Sequence, residues 1–176
     1  MENNEKCFID CHQGIIDNGK CDCVKPMSEK YLPYTPENIT ELAPGETFVF
    51  GSNLSGRHGK GAAKTALKWG AEYGRGLGHF GSTYAIPTVN HNISAALPIE
   101  EIEIFVDEFY LYVCDHPGLT FLVTEIGCGL AGHSVSAIAP LFKRFLKRNS
   151  AGELEYSKEN VRLPKKFFDF LINYPL

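Results

Sequence analysis

The sequence predicts an α/β domain built on a largely parallel central sheet, on three observations. Apolar, strand-like runs alternate with helix-like stretches in the order strand, helix, strand, helix, strand, helix. One run, Thr120-Phe121-Leu122-Val123-Thr124, is apolar without alternation through its middle, as expected of a strand buried on both faces. Two glycine-rich turns directly follow strands, which in a parallel sheet puts them together at the carboxyl edge, where ligands bind.

The first strand is centred on Phe48-Val49-Phe50, and Gly51, Ser52, Asn53, Gly56, Gly59 and Gly61 follow at once. A helix is expected over residues 62–72, where Ala63, Ala66 and Leu67 recur at helical spacing. Strand, glycine turn and helix start together present unpaired amides to an anion, and glycine lets a phosphate approach closer than a β-carbon allows. Two familiar phosphate loops do not fit. Gly56 and Gly61 have Walker spacing, but Ala62-Ala63 follow where a lysine is required; a dinucleotide fingerprint from Gly59 needs glycine where Lys64 stands.

Residues 31–47, with Pro33, Pro36, Pro44 and Gly45, read as a connector holding at most one helical turn near Pro36–Leu42. The glycines at 74, 76, 78 and 81 read as a surface loop, and Ser82–Pro87 as a short strand ended by its proline. Pro98 opens a long helix with Glu100, Glu101 and Glu103 in its first turns. Its expected buried face is Ile102, Phe105, Val106, Phe109, Tyr112 and Val113, and His116-Pro117-Gly118 ends it. The second glycine turn is Ile126-Gly127-Cys128-Gly129-Leu130-Ala131-Gly132-His133. Ser134 or Ser136 can cap the next helix, whose inner face is Ile138, Leu141, Phe142, Phe145 and Leu146, with a start near Pro140. A last strand over residues 160–164 and a short helix over 165–174 complete the chain.

Length and composition bound the function. With 176 residues, 44% of them hydrophobic, the chain suits one globular domain with a substantial core and a small appendage. A net charge of −4 argues against bulk nucleic-acid binding. No signal-peptide pattern and no membrane-length apolar run is found, so a soluble cytoplasmic protein is expected. The six cysteines then read as thiols or metal ligands, and the Asn38-Ile39-Thr40 sequon as idle. Four cysteines, Cys7, Cys11, Cys21 and Cys23, lie in residues 1–30, a segment that either holds a structural zinc or has no fixed structure. Residues 31–176 form the main domain.

Ile126-Gly127-Cys128-Gly129-Leu130-Ala131-Gly132 at a strand end resembles the second phosphate loop of macro domains, closest to the branch that removes ADP-ribose from acidic side chains. Ser52-Asn53-Leu54-x-Gly56-x-x-Gly59-x-Gly61-Ala62-Ala63 resembles their first loop, and Ser82–Thr88 the strand between; together these span about residues 47–147. The resemblance implies a three-layer α/β/α macro-like domain that binds ADP-ribose or a related nucleotide, free or on an ADP-ribosylated protein. It also implies ligand contacts from Gly51, Ser52, Asn53, Gly59 and Gly61 in the first loop. In the second, it implies contacts from Ile126, Gly127, Cys128, Gly129, Leu130, Ala131, Gly132 and His133. The chain departs from that branch where its catalytic aspartate would be, at Ala131. Possible ADP-ribosyl hydrolysis then falls to Asn53 or His58 as groups that position water. Two other functions fit the residues. Cys128, aided by His58, His116 or His133, could serve a cysteine-dependent enzyme; alternatively, the chain is a non-catalytic interaction protein with a zinc-held N-terminus.

Overall fold

The computed structural model describes residues 34–174. The cysteines at 7, 11, 21 and 23, the alternative of a zinc held by them and the boundary of their segment lie outside the described residues. Six strands form one sheet: β1 (Tyr34–Thr35), β2 (Glu46–Asn53), β3 (Gly78–Phe80), β4 (Thr83–Val89), β5 (Thr120–Val123) and, later in the chain, Val161–Pro164. Between β5 and that last strand lies a small antiparallel hairpin, β6 (Leu146–Arg148) with β7 (Leu154–Tyr156), which makes Val161–Pro164 β8. The sheet order is β1-β8-β5-β2-β4-β3, parallel throughout except at the β3–β4 pair. The domain is therefore α/β with a mostly parallel mixed sheet.

Helices cover both faces. Alternation along β2 sends Val49 to one side and Phe48 and Phe50 to the other. On the Val49 side lie α2 (Ile99–Asp115), α3 (Val135–Ile138) with its 3-10 extension Ala139–Phe145, and α4 (Lys165–Leu171). Helix α2 buries Ile102, Val106, Phe109 and Val113, with Phe105 and Tyr112 partly buried against the same core. On the Phe48/Phe50 side, the six-residue α1 (Gly61–Ala66) and the 3-10 turn Leu67–Trp69 contribute Ala63, Ala66 and Trp69.

Several expectations need correction. No helical turn occupies 36–42; the connector instead begins with the two-residue edge strand β1. Part of the glycine loop is ordered as β3, paired with Thr83–Ala85. Strand β4 continues through Pro87, which is opposite Ser52; β3 reaches only as far as Ala85, so a residue without an amide hydrogen is tolerated there. The helix expected to start near Pro140 begins at Val135, with the Ser134 hydroxyl accepting from the Ala137 amide at 3.2 Å. Pro140 lies at the start of the 3-10 extension, and Leu146 opens β6.

Candidate functional site

Strands β2 and β5 are neighbours, so both glycine loops leave the sheet side by side. The register between β2 and β4 shifts at the loop: Ser52 faces Pro87, but Asn53 faces Val89. A bulge of this kind re-aims the chain at a sheet rim. The displaced Thr88 donates its hydroxyl to the Ser52 carbonyl at 3.3 Å, and the Ser52 hydroxyl donates to the Gly76 carbonyl.

Asn53 is buried and shapes the first loop with its side-chain amide. Its Nδ2 donates to the Arg57 carbonyl at 2.7 Å, while Oδ1 accepts from the Arg57 amide at 2.9 Å and the Ser55 hydroxyl at 2.8 Å. One Nδ2 hydrogen is left for a ligand. His58, the other residue expected to position water, is 1% exposed and does not line the cavity described below. Its Nε2 lies 3.0 Å from the Glu72 carbonyl and 3.2 Å from that of Arg75. Two carbonyls can only accept, so Nε2 carries the proton. Nδ1 is buried without a partner, and the ring pins the 72–75 turn beneath the loop.

The second loop folds through the Cys128 amide donating to the Glu125 carbonyl at 3.2 Å, Gly132 to Gly129 at 3.0 Å and His133 to Gly127 at 3.0 Å. Gly127 holds φ +71°, a conformation that side chains resist. The amides of Gly127, Gly129, Leu130 and Ala131 have no acceptor among the described residues. All four residues line one cavity, and unpaired backbone amides at such a hollow suit an anion.

Both loops open on one cavity of about 520 Å³. Of the expected ligand-binding residues, Gly51, Ser52, Asn53, Gly59, Gly61, Ile126, Gly127, Gly129, Leu130 and Ala131 line it; Cys128, Gly132 and His133 do not. The His133 Nε2 is instead buried without a partner. The structure adds lining residues outside the expected ligand set, among them Arg57, Lys60, Tyr73, Thr88, Ile93 and Glu125. Of these, Glu125 is legible in the sequence as a carboxylate from outside the loops, because it follows the apolar run of β5 and lies at the carboxyl edge. Arg57 and Lys60 supply positive charge, and Glu125 is the one carboxylate lining the cavity among the described residues, paired with Lys166 at 2.9 Å.

A second cavity of about 500 Å³ adjoins the first and shares Ala62, Thr124 and Glu125 with it. Its other walls include Glu37, Asn38, Lys165 and Lys166, at the ends of β1 and β8. The two make a cleft along the carboxyl ends of the parallel strands.

Cys128 lies half-buried behind the second loop, where burial and, less strongly, the Glu125 carboxylate push its thiol up to about 11. A thiol at that value is almost wholly protonated near neutrality, which disfavours a nucleophilic role. No three histidine, cysteine or carboxylate side chains gather as metal ligands among the described residues, and no helix there is long and apolar enough to cross a membrane. The chain matches no protein-family model, no curated protein and no solved structure. Its fold and site define an α/β domain with a two-loop, amide-lined cleft, and the chemistry rests on that geometry.

Proposed function

We propose that the cleft binds ADP-ribose or a closely related nucleotide diphosphate, free or attached to a protein side chain, in a macro-like manner. The observation that carries this reading is that Gly127 and Gly129–Ala131, whose amides have no acceptor among the described residues, line one cavity with the Gly59–Gly61 loop. Two facing loops suit two linked phosphates. Arg57 and Lys60 complement their charge, and two adjoining cavities suit a ligand with a group at each end. Each cavity falls in the usual range of small-molecule sites, about 300–1,000 Å³. The base end occupies the cavity beside Asn38, and the distal ribose lies beside Asn53. A cytoplasmic setting goes with this reading.

The presence of Glu125 on the cavity wall supports a second reading, hydrolysis of an ADP-ribosyl bond with this carboxylate taking a proton from attacking water. Its place where the cavities join, and its ion pair to Lys166, suit contact with ribose hydroxyls better than attack at the distal ring, so binding leads.

Calorimetric titration with ADP-ribose, ADP and AMP tests binding, with Gly129→Glu as the control. A β-carbon at Gly129 meets nothing within 4 Å, so glutamate fits the fold while bringing negative charge to the cradle. Selective binding of ADP-ribose that disappears in Gly129→Glu, with the melting temperature kept, is expected. Failure of the wild type to bind any of the three nucleotides would sink the reading. For hydrolysis, Glu125→Gln abolishes release of ADP-ribose from a modified peptide but keeps binding; unchanged turnover in that variant removes Glu125 from the reaction.

A further inference from the structure

Three apolar side chains stand exposed around the cavity that holds Asn53 and both loops. Leu130 is 80% exposed, Tyr73 64% and Ile93 44%, and each comes from a different loop. Single exposed apolar groups are ordinary on a protein surface, whereas several around one cavity mark a contact. Two of them overhang the first loop: the Tyr73 hydroxyl lies 3.9 Å from where a β-carbon on Gly59 would be, and a Leu130 methyl 3.7 Å from that of Gly61. The Tyr73 ring meets His58 edge-on at 5.9 Å, which links its position to the pinned 72–75 turn.

Ile93 is held against its own preference. Its φ is +59°, and it is the one non-glycine residue with positive φ among the described residues; a β-branched side chain rarely adopts that conformation. The surrounding turn enforces it. The Ile93 amide donates to the Asn90 carbonyl at 3.1 Å, the Ser94 amide to Asn90 Oδ1 at 3.0 Å, and Asn90 Nδ2 to the Ser94 hydroxyl at 3.1 Å. A bridge between Val89 and Ala96 closes its base. Strain retained in this way clusters at ligand clamps.

We infer that Tyr73, Ile93 and Leu130 form a collar for a planar heteroaromatic ring joined to the distal ribose of the bound nucleotide. The preferred ligand class is then a dinucleotide with a ring at each end. This rests on the nucleotide reading above and adds the distal group to it. Free ADP-ribose ends at a hydroxyl, which gains nothing from two aliphatic side chains and leaves the collar wet. A ring on the same carbon stacks on Tyr73 and covers Leu130 and Ile93, a contact that tolerates any flat heterocycle. The far cavity, with Glu37, Asn38, Lys165 and Lys166 on its walls, lacks such a rim.

Calorimetry on the full chain tests this with NAD+ and ADP-ribose as probes, in the wild type and in Tyr73→Ala, Leu130→Ser and Ile93→Gly. NAD+ is expected to bind about tenfold tighter than ADP-ribose. Each substitution is expected to weaken NAD+ more than ADP-ribose, bringing the ratio toward one. Equal binding of the two, or tighter ADP-ribose, overturns the collar and leaves the nucleotide reading standing. Substitutions that weaken both ligands alike also overturn it, because a structural role moves both together. If neither probe binds, both readings fall.

Discussion

Gly51 lies so close to the second loop that a β-carbon on it would stand 3.3 Å from the amide nitrogen of Gly127. The same position is 3.4 Å from the Thr88 hydroxyl oxygen, so a methyl group fits there only if strand end or loop gives way by a few tenths of an ångström. The distance between the two glycine-rich loops is thus set by the absence of a side chain at one residue.

Gly51→Ala is therefore expected to push the second loop outward by a few tenths of an ångström. Overpacking of this kind costs about 1–3 kcal/mol, and affinity for ADP-ribose is expected to fall about tenfold. Paired melting and titration curves measure the two effects. An alanine variant with wild-type affinity would show that the loops do not share one ligand.

Asn53 separates loop-building from ligand contact. Asn53→Ala removes three hydrogen bonds to Ser55 and Arg57, with an expected loss of about 1–3 kcal/mol together with affinity. Asn53→Asp keeps the two accepted bonds, loses the donor and adds a negative charge to the cavity wall. It should lose less stability than the alanine variant and more affinity. The opposite order would assign Asn53 to the loop alone.

Much of this architecture was readable from residue spacing. The apolar run at Thr120–Val123 identified the buried strand β5, and spacing from Ile102 to Val113 identified the inner face of α2. Strands β1 and β3 escaped because two or three residues carry no period, and Gly78-His79-Phe80 looks like a loop. Asn53 could be singled out by its place in a motif, but the register shift that aims it exists only once β2 pairs with β4. Tyr73 and Ile93 reach the cavity from segments whose convergence no local pattern encodes. His58 misled for the converse reason. In sequence it is a polar residue in a glycine loop; in the fold, the carbonyls of Glu72 and Arg75 draw it inward.

Cys128 is expected to resist alkylation. Its thiol, pushed up to about 11 from an ordinary 9.0, should react slowly with iodoacetamide at pH 8 and faster as pH rises toward 11. The same shift bears on stability. The unfolded thiol ionises first, so the contribution is intact below pH 9 and is lost between 9 and 11. Cys128→Ala should flatten that part of the melting profile, alongside the similar decline from Tyr156, whose hydroxyl burial pushes up to about 12. Rapid alkylation at pH 7 would restore the cysteine as a candidate nucleophile.

His79 makes the opposite prediction at acid pH. Its ring stacks on Tyr112 at 5.3 Å, and Tyr112 stacks on His116 at 3.8 Å. Burial lowers the His79 pKa, and nearby His116 lowers it further. The unfolded ring takes up a proton first, so stability present above pH 6.5 is lost as pH falls below it. Thermal melts from pH 7.5 to 5 should show the decline, and His79→Phe should reduce it. An unchanged slope in that variant would place the acid sensitivity elsewhere.

The neighbouring strands β2 and β5 come from distant parts of the chain, with β3, β4 and all of α2 intervening. A cut in the exposed turn at residues 90–94 leaves one glycine-rich loop on each fragment. During synthesis, the first loop emerges well before its counterpart, and the cavity that both line is complete only when β5 has joined β2. A ligand spanning both acts as a rivet between two pieces, so its imprint in hydrogen exchange belongs along the β2–β5 seam, slowing amides well beyond the atoms that it touches.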